Sequence, residues 1–167
     1  TDTPIERLPQ NIVVIPRSVI EDQGATTVSE AALNVSNVQP VDTRMIGNVA
    51  QAPNKIRGFD AETWIDGYPG NLFVAGDRDG LANVERIEVA KGPTSTLYGG
   101  GSGAPLSGLI NVVSRDPGKT FGGSVGLRAG SFETLGVDAD LNVPLGESAA
   151  FRINGMAEQA DSYIDFI

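Results

Sequence analysis

From Phe121 to Glu158 apolar residues recur at every second position in three separate runs. In the first, Val125, Leu127 and Ala129 alternate with Ser124 and Arg128. In the second, Leu135, Val137, Ala139, Leu141 and Val143 alternate with Asp138, Asp140 and Asn142. In the third, Phe151, Ile153 and Ala157 are opposed by Arg152, Asn154 and Glu158. A period of two is that of a β-strand and not of a helix, so each run must present one apolar and one polar face. Gly130-Ser131 and the stretch from Pro144 to Ser148 supply turns, and residues 121–167 therefore read as an antiparallel meander. Two surroundings suit such strands: a half-exposed sheet whose apolar face covers a neighbouring domain, or a barrel wall with lipid outside and a polar lumen inside. Three strands cannot close a barrel, which takes about 8 or more, so on the second reading the chain is a fragment.

Residues 1–117 carry mixed and shorter signals. Asn11 to Ile15 reads as a buried strand stopped by Pro16. Ser18 with Glu21, and Thr27 with Glu30, have the spacing of capping boxes, and Gly24 supplies a stop for the first helix. Val28, Ala31, Ala32 and Val35 form one apolar stripe, which predicts a short helix over 28–35. Ile56 to Phe59 and Glu62 to Ile65 read as strands flanking a turn, and Asp66-Gly67 is a second turn. Val84, Ile87 and Val89 belong to a strand broken by Lys91-Gly92-Pro93, and Leu109 to Val113 to another that ends before Asp116-Pro117. Interleaved strands and short helices predict an α+β fold, a small mixed-sheet domain ahead of the antiparallel strands. Strict alternation would put Glu85 on one face with Ile87 and Val89, and Arg86 and Glu88 on the other.

Composition narrows the function. Twelve Lys and Arg against 21 Asp and Glu give a net charge of −9, which argues against nucleic acid as a partner. The chain has no His and no Cys, which removes Ser-His-Asp and Cys-His catalysis and thiolate metal sites, and no catalytic constellation replaces them. The longest aliphatic run is Ile12 to Ile15, far short of the roughly 20 residues of a spanning helix. No charged and apolar leader stands at Thr1, so a mature or trimmed chain is expected. Gly99, Gly101 and Ala104 have the dinucleotide-fingerprint spacing, but Pro105 and Gly108 follow where a helix is required. The better reading is a backbone that passes close to other backbone. Asp77, Asp79 and Gly80 look like part of a calcium loop that lacks its closing Glu, and a solvated turn is the expectation.

An ordered set of motifs then points to one family. Leu8-Pro9-Gln10-Asn11-Ile12, Glu21-Asp22-Gln23-Gly24, Ile56-Arg57-Gly58-Phe59 and Ile65-Asp66-Gly67 are followed by Val84-Glu85-Arg86-Ile87-Glu88-Val89, Lys91-Gly92-Pro93 and Leu97-Tyr98-Gly99. Leu109 to Ser114 and a Gly130-Ser131-Phe132 strand turn complete the series. Over nearly its whole length the chain resembles the plug domain and first barrel strands of a TonB-dependent siderophore receptor of the Gram-negative outer membrane. The resemblance implies a plug over 1–117 and truncated barrel strands over 121–167. Its implied partners are a ferric siderophore, TonB and the receptor's own β-barrel, with no cofactor and no enzymatic activity. It implies ligand contacts at Arg57, Tyr68, Gly70, Asn71, Phe73 and Asp79, and plug–barrel contacts at Glu85, Arg86, Glu88 and Lys91. The guanidinium of Arg57 suits siderophore oxygens, and the aromatic faces of Tyr68 and Phe73 beside the Asn71 amide suit a rigid chelate. The run from Gly100 to Gly108 is longer than the family's link at this point. Thr1 to Leu8 does not match the family's TonB-engaging segment, so no TonB-contact residue is expected from it. The competing expectation is a soluble secreted or periplasmic β-rich binding domain.

Overall fold

The computed structural model describes residues 10–40, 54–69, 80–93, 107–131, 133–159 and 161. The chain divides into two compact units between Ser114 and Arg115. Among the described residues no helix is long and apolar enough to cross a membrane.

In the first unit a five-stranded sheet has the order β1-β7-β8-β5-β6, built from β1 (Asn11–Pro16), β5 (Glu62–Ile65), β6 (Tyr68–Pro69), β7 (Val84–Lys91) and β8 (Gly108–Ser114). All its pairings are antiparallel except β5 with β8, which makes it the mixed sheet expected. A smaller sheet joins β2 (Val38–Pro40), β3 (Asn54–Ile56) and β4 (Phe59–Asp60). Helices α1 (Arg17–Asp22) and α2 (Val28–Ala32) have six and five residues, too few to persist alone in water. Burial holds them: Ile20, Val28, Ala31, Ala32 and Val35 pack with Ile15, Ile87, Val89, Ile110 and Val112 in the main core. Each large aliphatic side chain so buried contributes about 1.5–3 kcal/mol. The opposite face of the sheet carries a smaller cluster of Trp64, Ala90 and Leu109, with Ile12 packed against it.

Several local expectations are corrected. Among the described residues β1 is an edge strand in which only Ile15 is buried, because β7 covers one of its sides and no described strand pairs with the other. The Ser18–Glu21 capping box does not form: the N-cap of α1 is Pro16, which makes no side-chain cap bond, and Glu21 instead pairs with Arg17 (Nε to Oε1, 2.6 Å). The stop at Gly24 is as expected. Gly24 N–H donates to Glu21 O and Ala25 N–H to Ile20 O with Gly24 at φ +60, the double bond pattern of a Schellman cap. At α2 the Thr27 hydroxyl accepts from Glu30 N–H (3.2 Å), while the Glu30 carboxylate reaches Thr26 N–H (2.7 Å), one residue upstream of the expected partner. The α2 helix ends at Ala32, and Val35 is buried from the turn that follows.

The second unit is a three-stranded antiparallel sheet, β11-β10-β9, of β9 (Gly122–Ala129), β10 (Leu135–Pro144) and β11 (Ala150–Gln159). Its register sets Val137 opposite both Leu127 and Ala157, and Leu141 opposite Ile153, so the alternating apolar positions of all three strands share one face, while Met156, paired with Asp138, lies on the other. That face is exposed: Val125 is 75% and Leu127 86% accessible, and Leu135, Val137, Leu141, Phe151 and Ile153 are exposed with them. The other face carries Ser124, Arg128, Asp138, Asp140, Asn142, Arg152, Asn154 and Glu158. Three strands leave the wall open, as the strand count requires.

Candidate functional site

The predicted ligand residues fall into three groups. Gly70, Asn71, Phe73 and Asp79 lie outside the described residues, as do Asp77, Leu97-Tyr98-Gly99 and the run 99–106. Arg57 and Tyr68 are described, and the structure does not bring them together.

Arg57 is not in a strand that runs through to Phe59. Arg57-Gly58 is the two-residue loop of the β3–β4 hairpin, closed by the pair Ile56 and Phe59, with φ +55 and +85. Positive φ at both central residues is the signature of the type I′ turn that matches strand twist, and a non-glycine residue there is uncommon. Arg57 N–H donates to Asn37 O (2.9 Å), which ties the hairpin tip to the turn after α2. Phe59, the residue after the loop, is 70% exposed. The sequence reading does not single it out as a contact, although an aromatic directly after Arg-Gly marks it in the sequence. A Lys55–Asp60 ion pair (3.2 Å) braces the hairpin stem.

Asp66-Gly67 forms a second loop of the same kind, φ +51 and +80, between β5 and β6. Asp66 N–H donates to Val112 O (2.9 Å), its carboxylate accepts from Ser114 N–H (2.7 Å), and Gly67 N–H donates to Asn111 Oδ1 (3.0 Å). Tyr68, 76% exposed, is therefore placed at the C-terminal end of β8. The Arg57 hairpin adjoins the other end, where Ser107 Oγ donates to Asp60 O (2.8 Å) and Ile56 lies against Gly108. Seven residues at about 3.3 Å each separate the two ends by roughly 20 Å. Arg57 and Tyr68 therefore stand at opposite ends of β8.

The four predicted wall contacts also divide. A β-bulge between Val84 and Arg86 turns Glu85 out to solvent while Ile87 and Val89 are buried, so the strict alternation that grouped these three fails. Arg86 and Glu88 do share a face: they pair (Nε to Oε1, 2.8 Å), and Glu88 Oε2 accepts from Asn111 Nδ2 (3.2 Å). Two residues along that face of β5, Trp64 Nε1 donates to Glu62 Oε2 (2.9 Å), which satisfies both buried polar groups. Lys91 is on the helix side, buried, with Nζ donating to Ser36 Oγ (3.1 Å). Among the described residues no group of three or more acidic side chains is arranged to hold a metal ion.

A mixed sheet backed by two short helices, continued by amphipathic strands with an exposed apolar face, defines a domain joined to the beginning of a wall. The family model "TonB-dependent Receptor Plug Domain" matches residues 4–106. The chain is 34% identical over 174 residues to the ferrioxamine B receptor of Salmonella typhimurium, covering 96% of this chain and 23% of that protein. It is 33% identical over 159 residues to the catecholate siderophore receptor Fiu of Escherichia coli K12, covering 93% of this chain and 20% of the relative. The crystal structure of the ferric-catecholate import receptor Fiu from E. coli K12 in its closed form superposes with a TM-score of 0.81 at 30% identity, over 94% of this chain and 22% of that one. The chain belongs to the TonB-dependent receptor plug family. It spans about a quarter or less of the length of the curated relatives it matches.

Proposed function

We propose that this chain is the plug and first wall strands of an outer-membrane receptor that binds a ferric siderophore and passes it into the periplasm, driven through TonB. The observation that carries the reading is continuity: a plug-family domain runs directly into strands whose alternating apolar side chains, Met156 excepted, point to one exposed face. A soluble β-rich domain gives no reason for that face, whereas lipid does. The chemistry asked of the chain is binding and gating, with no covalent step.

Within this reading the Arg57–Phe59 hairpin is the ligand-facing element. The guanidinium offers paired N–H donors to the oxygens around the iron, and the exposed Phe59 ring offers an apolar face to the siderophore backbone. Gly70, Asn71, Phe73 and Asp79 remain proposed partners of that face, while Tyr68 is assigned to the opposite end of the sheet. Glu85, Arg86 and Glu88 are the proposed contacts to the barrel wall, because Glu85 is exposed and Arg86 is 43% exposed at its side chain. Lys91 is assigned an internal role, holding the turn after α2 to β7. The test is siderophore-dependent growth under iron limitation of a receptor-deficient Gram-negative strain given the complete gene. Growth on at least one ferric siderophore, abolished when TonB is removed, is expected. Failure with hydroxamate and catecholate siderophores alike would overturn the reading.

A further inference from the structure

The segment that joins the two units is itself gripped by the strands that follow it. Asn142, on the polar face of β10 and 7% exposed, holds it at three points. Its Oδ1 accepts from Gly118 N–H (2.7 Å), and its Nδ2 donates to Gly118 O (2.9 Å) and to Thr120 O (2.6 Å). An amide that meets both the N–H and the C=O of one residue reproduces the pairing of a neighbouring strand. Two residues along the same face, the Asp140 carboxylate, 8% exposed, accepts from Arg152 through both oxygens (Nε to Oδ1 2.7 Å, Nη2 to Oδ2 2.6 Å) and from Arg115 Nη1 (3.3 Å). Arg152, which faces Asn142 in the register, also donates from Nη1 to Asp116 O (3.3 Å). One patch of two strands thus holds main-chain atoms of residues 116, 118 and 120 and the side chain of residue 115.

A connector meant to flex would leave its backbone to water, and a Pro-Gly pair such as Pro117-Gly118 needs no polar partners to turn. Here the buried Asn142 amide and the Asp140 carboxylate, 8% exposed, are spent on it. We infer that residues 115–120 are a fixed anchor belonging to the wall, so that displacement or partial opening of the first unit ends at Ser114 and the moving part stays rooted. The anchor itself stands on this chain alone. Its use as a root for a plug that shifts during transport rests on the function proposed above.

The test follows amide hydrogen exchange of the 167-residue chain in detergent micelles across a denaturant series, with Gly118, Ile110 in β8 and Leu141 in β10 as reporters. The Gly118 amide should be protected and should open with Leu141. Opening with Ile110, or exchange at the free-peptide rate, would overturn the inference. If the two units open together, the Asn142→Ala chain decides: Gly118 exchange at least tenfold faster with Ile110 unchanged supports the anchor, and unchanged Gly118 exchange overturns it. Neither result depends on siderophore binding, so a failed uptake experiment and a failed anchor are distinguishable.

Discussion

At Gly108 the backbone of β8 passes so close to β7 that an added Cβ would lie 2.1 Å from Ala90 O, and φ is +136. Gly108→Ala is expected to cost about 2–4 kcal/mol, from backbone strain and a clash with main chain that cannot give way. Gly67→Ala has the same sign of φ but open space around it, so about 1 kcal/mol is expected. Urea unfolding of the two variants checks the ranking, and equal losses would refute it. Arg57 calls for a different substitution. Its φ of +55 is tolerated by Asn, so Arg57→Asn should leave the melting curve of the complete receptor within a degree or two while weakening ferric siderophore binding by about 1–3 kcal/mol. Tyr68→Ala should leave binding unchanged, because Tyr68 stands at the other end of β8. Binding measured by fluorescence quenching separates the two residues. The sequence showed Arg57 as a donor beside a glycine, but not its position in a hairpin loop, because strand pairing fixes φ there and β3 and β4 are only three and two residues long. Likewise Glu85 was placed by alternation, and a one-residue bulge that no composition signals moved it to solvent.

Among the elements, the two helix starts offer a matched pair. Thr27 caps α2 through a bond that accepts from Glu30 N–H, and Thr27→Ala should destabilise the first unit by about 1 kcal/mol. Ser18 has the same motif spacing but lies inside α1 behind an N-cap that makes no side-chain bond, so Ser18→Ala should be neutral within about 0.5 kcal/mol. Thermal melts with matched buffers compare them, and equal losses would contradict the assigned cap. Motif spacing alone could not distinguish these sites. Pro16 closes β1 in register with Arg86, and Arg17 then pairs with Glu21 one turn on and reaches across to Leu81 O and Val84 O, long-range contacts that override a local box. The wall strands were legible to within a residue because nothing competes with their alternation: each side chain has one of two faces, and a slip of one would turn Asp138 and Asp140 onto the apolar side. Asn142 and Arg152 read as members of a polar face, and their grip on residues 115–120 depends on where the connector folds back.

For the whole molecule, a unit with its own buried core is followed by strands that present an exposed apolar face. The first unit has its own buried cluster, so a chain ending at Ser114 should fold and remain monomeric. The 167-residue chain adds an exposed apolar face beside β9 and β11, each of which pairs on one side only among the described residues, and such surfaces associate. Light scattering should find the shorter chain monomeric and the 167-residue chain associated unless detergent is present. A monodisperse 167-residue chain in plain buffer would contradict this. The central claim, that the apolar face meets lipid, is tested most directly in the complete receptor reconstituted in liposomes. Because this chain contains no cysteine, single cysteines can be placed at residues 137, 138, 139, 140 and 141 in a receptor cleared of any other thiol and labelled with a polarity-sensitive fluorophore. The account predicts blue-shifted emission, quenched by brominated lipid, at 137, 139 and 141, and water-like emission at 138 and 140. Emission without alternation, or a water-like environment at 137, 139 and 141, would contradict it.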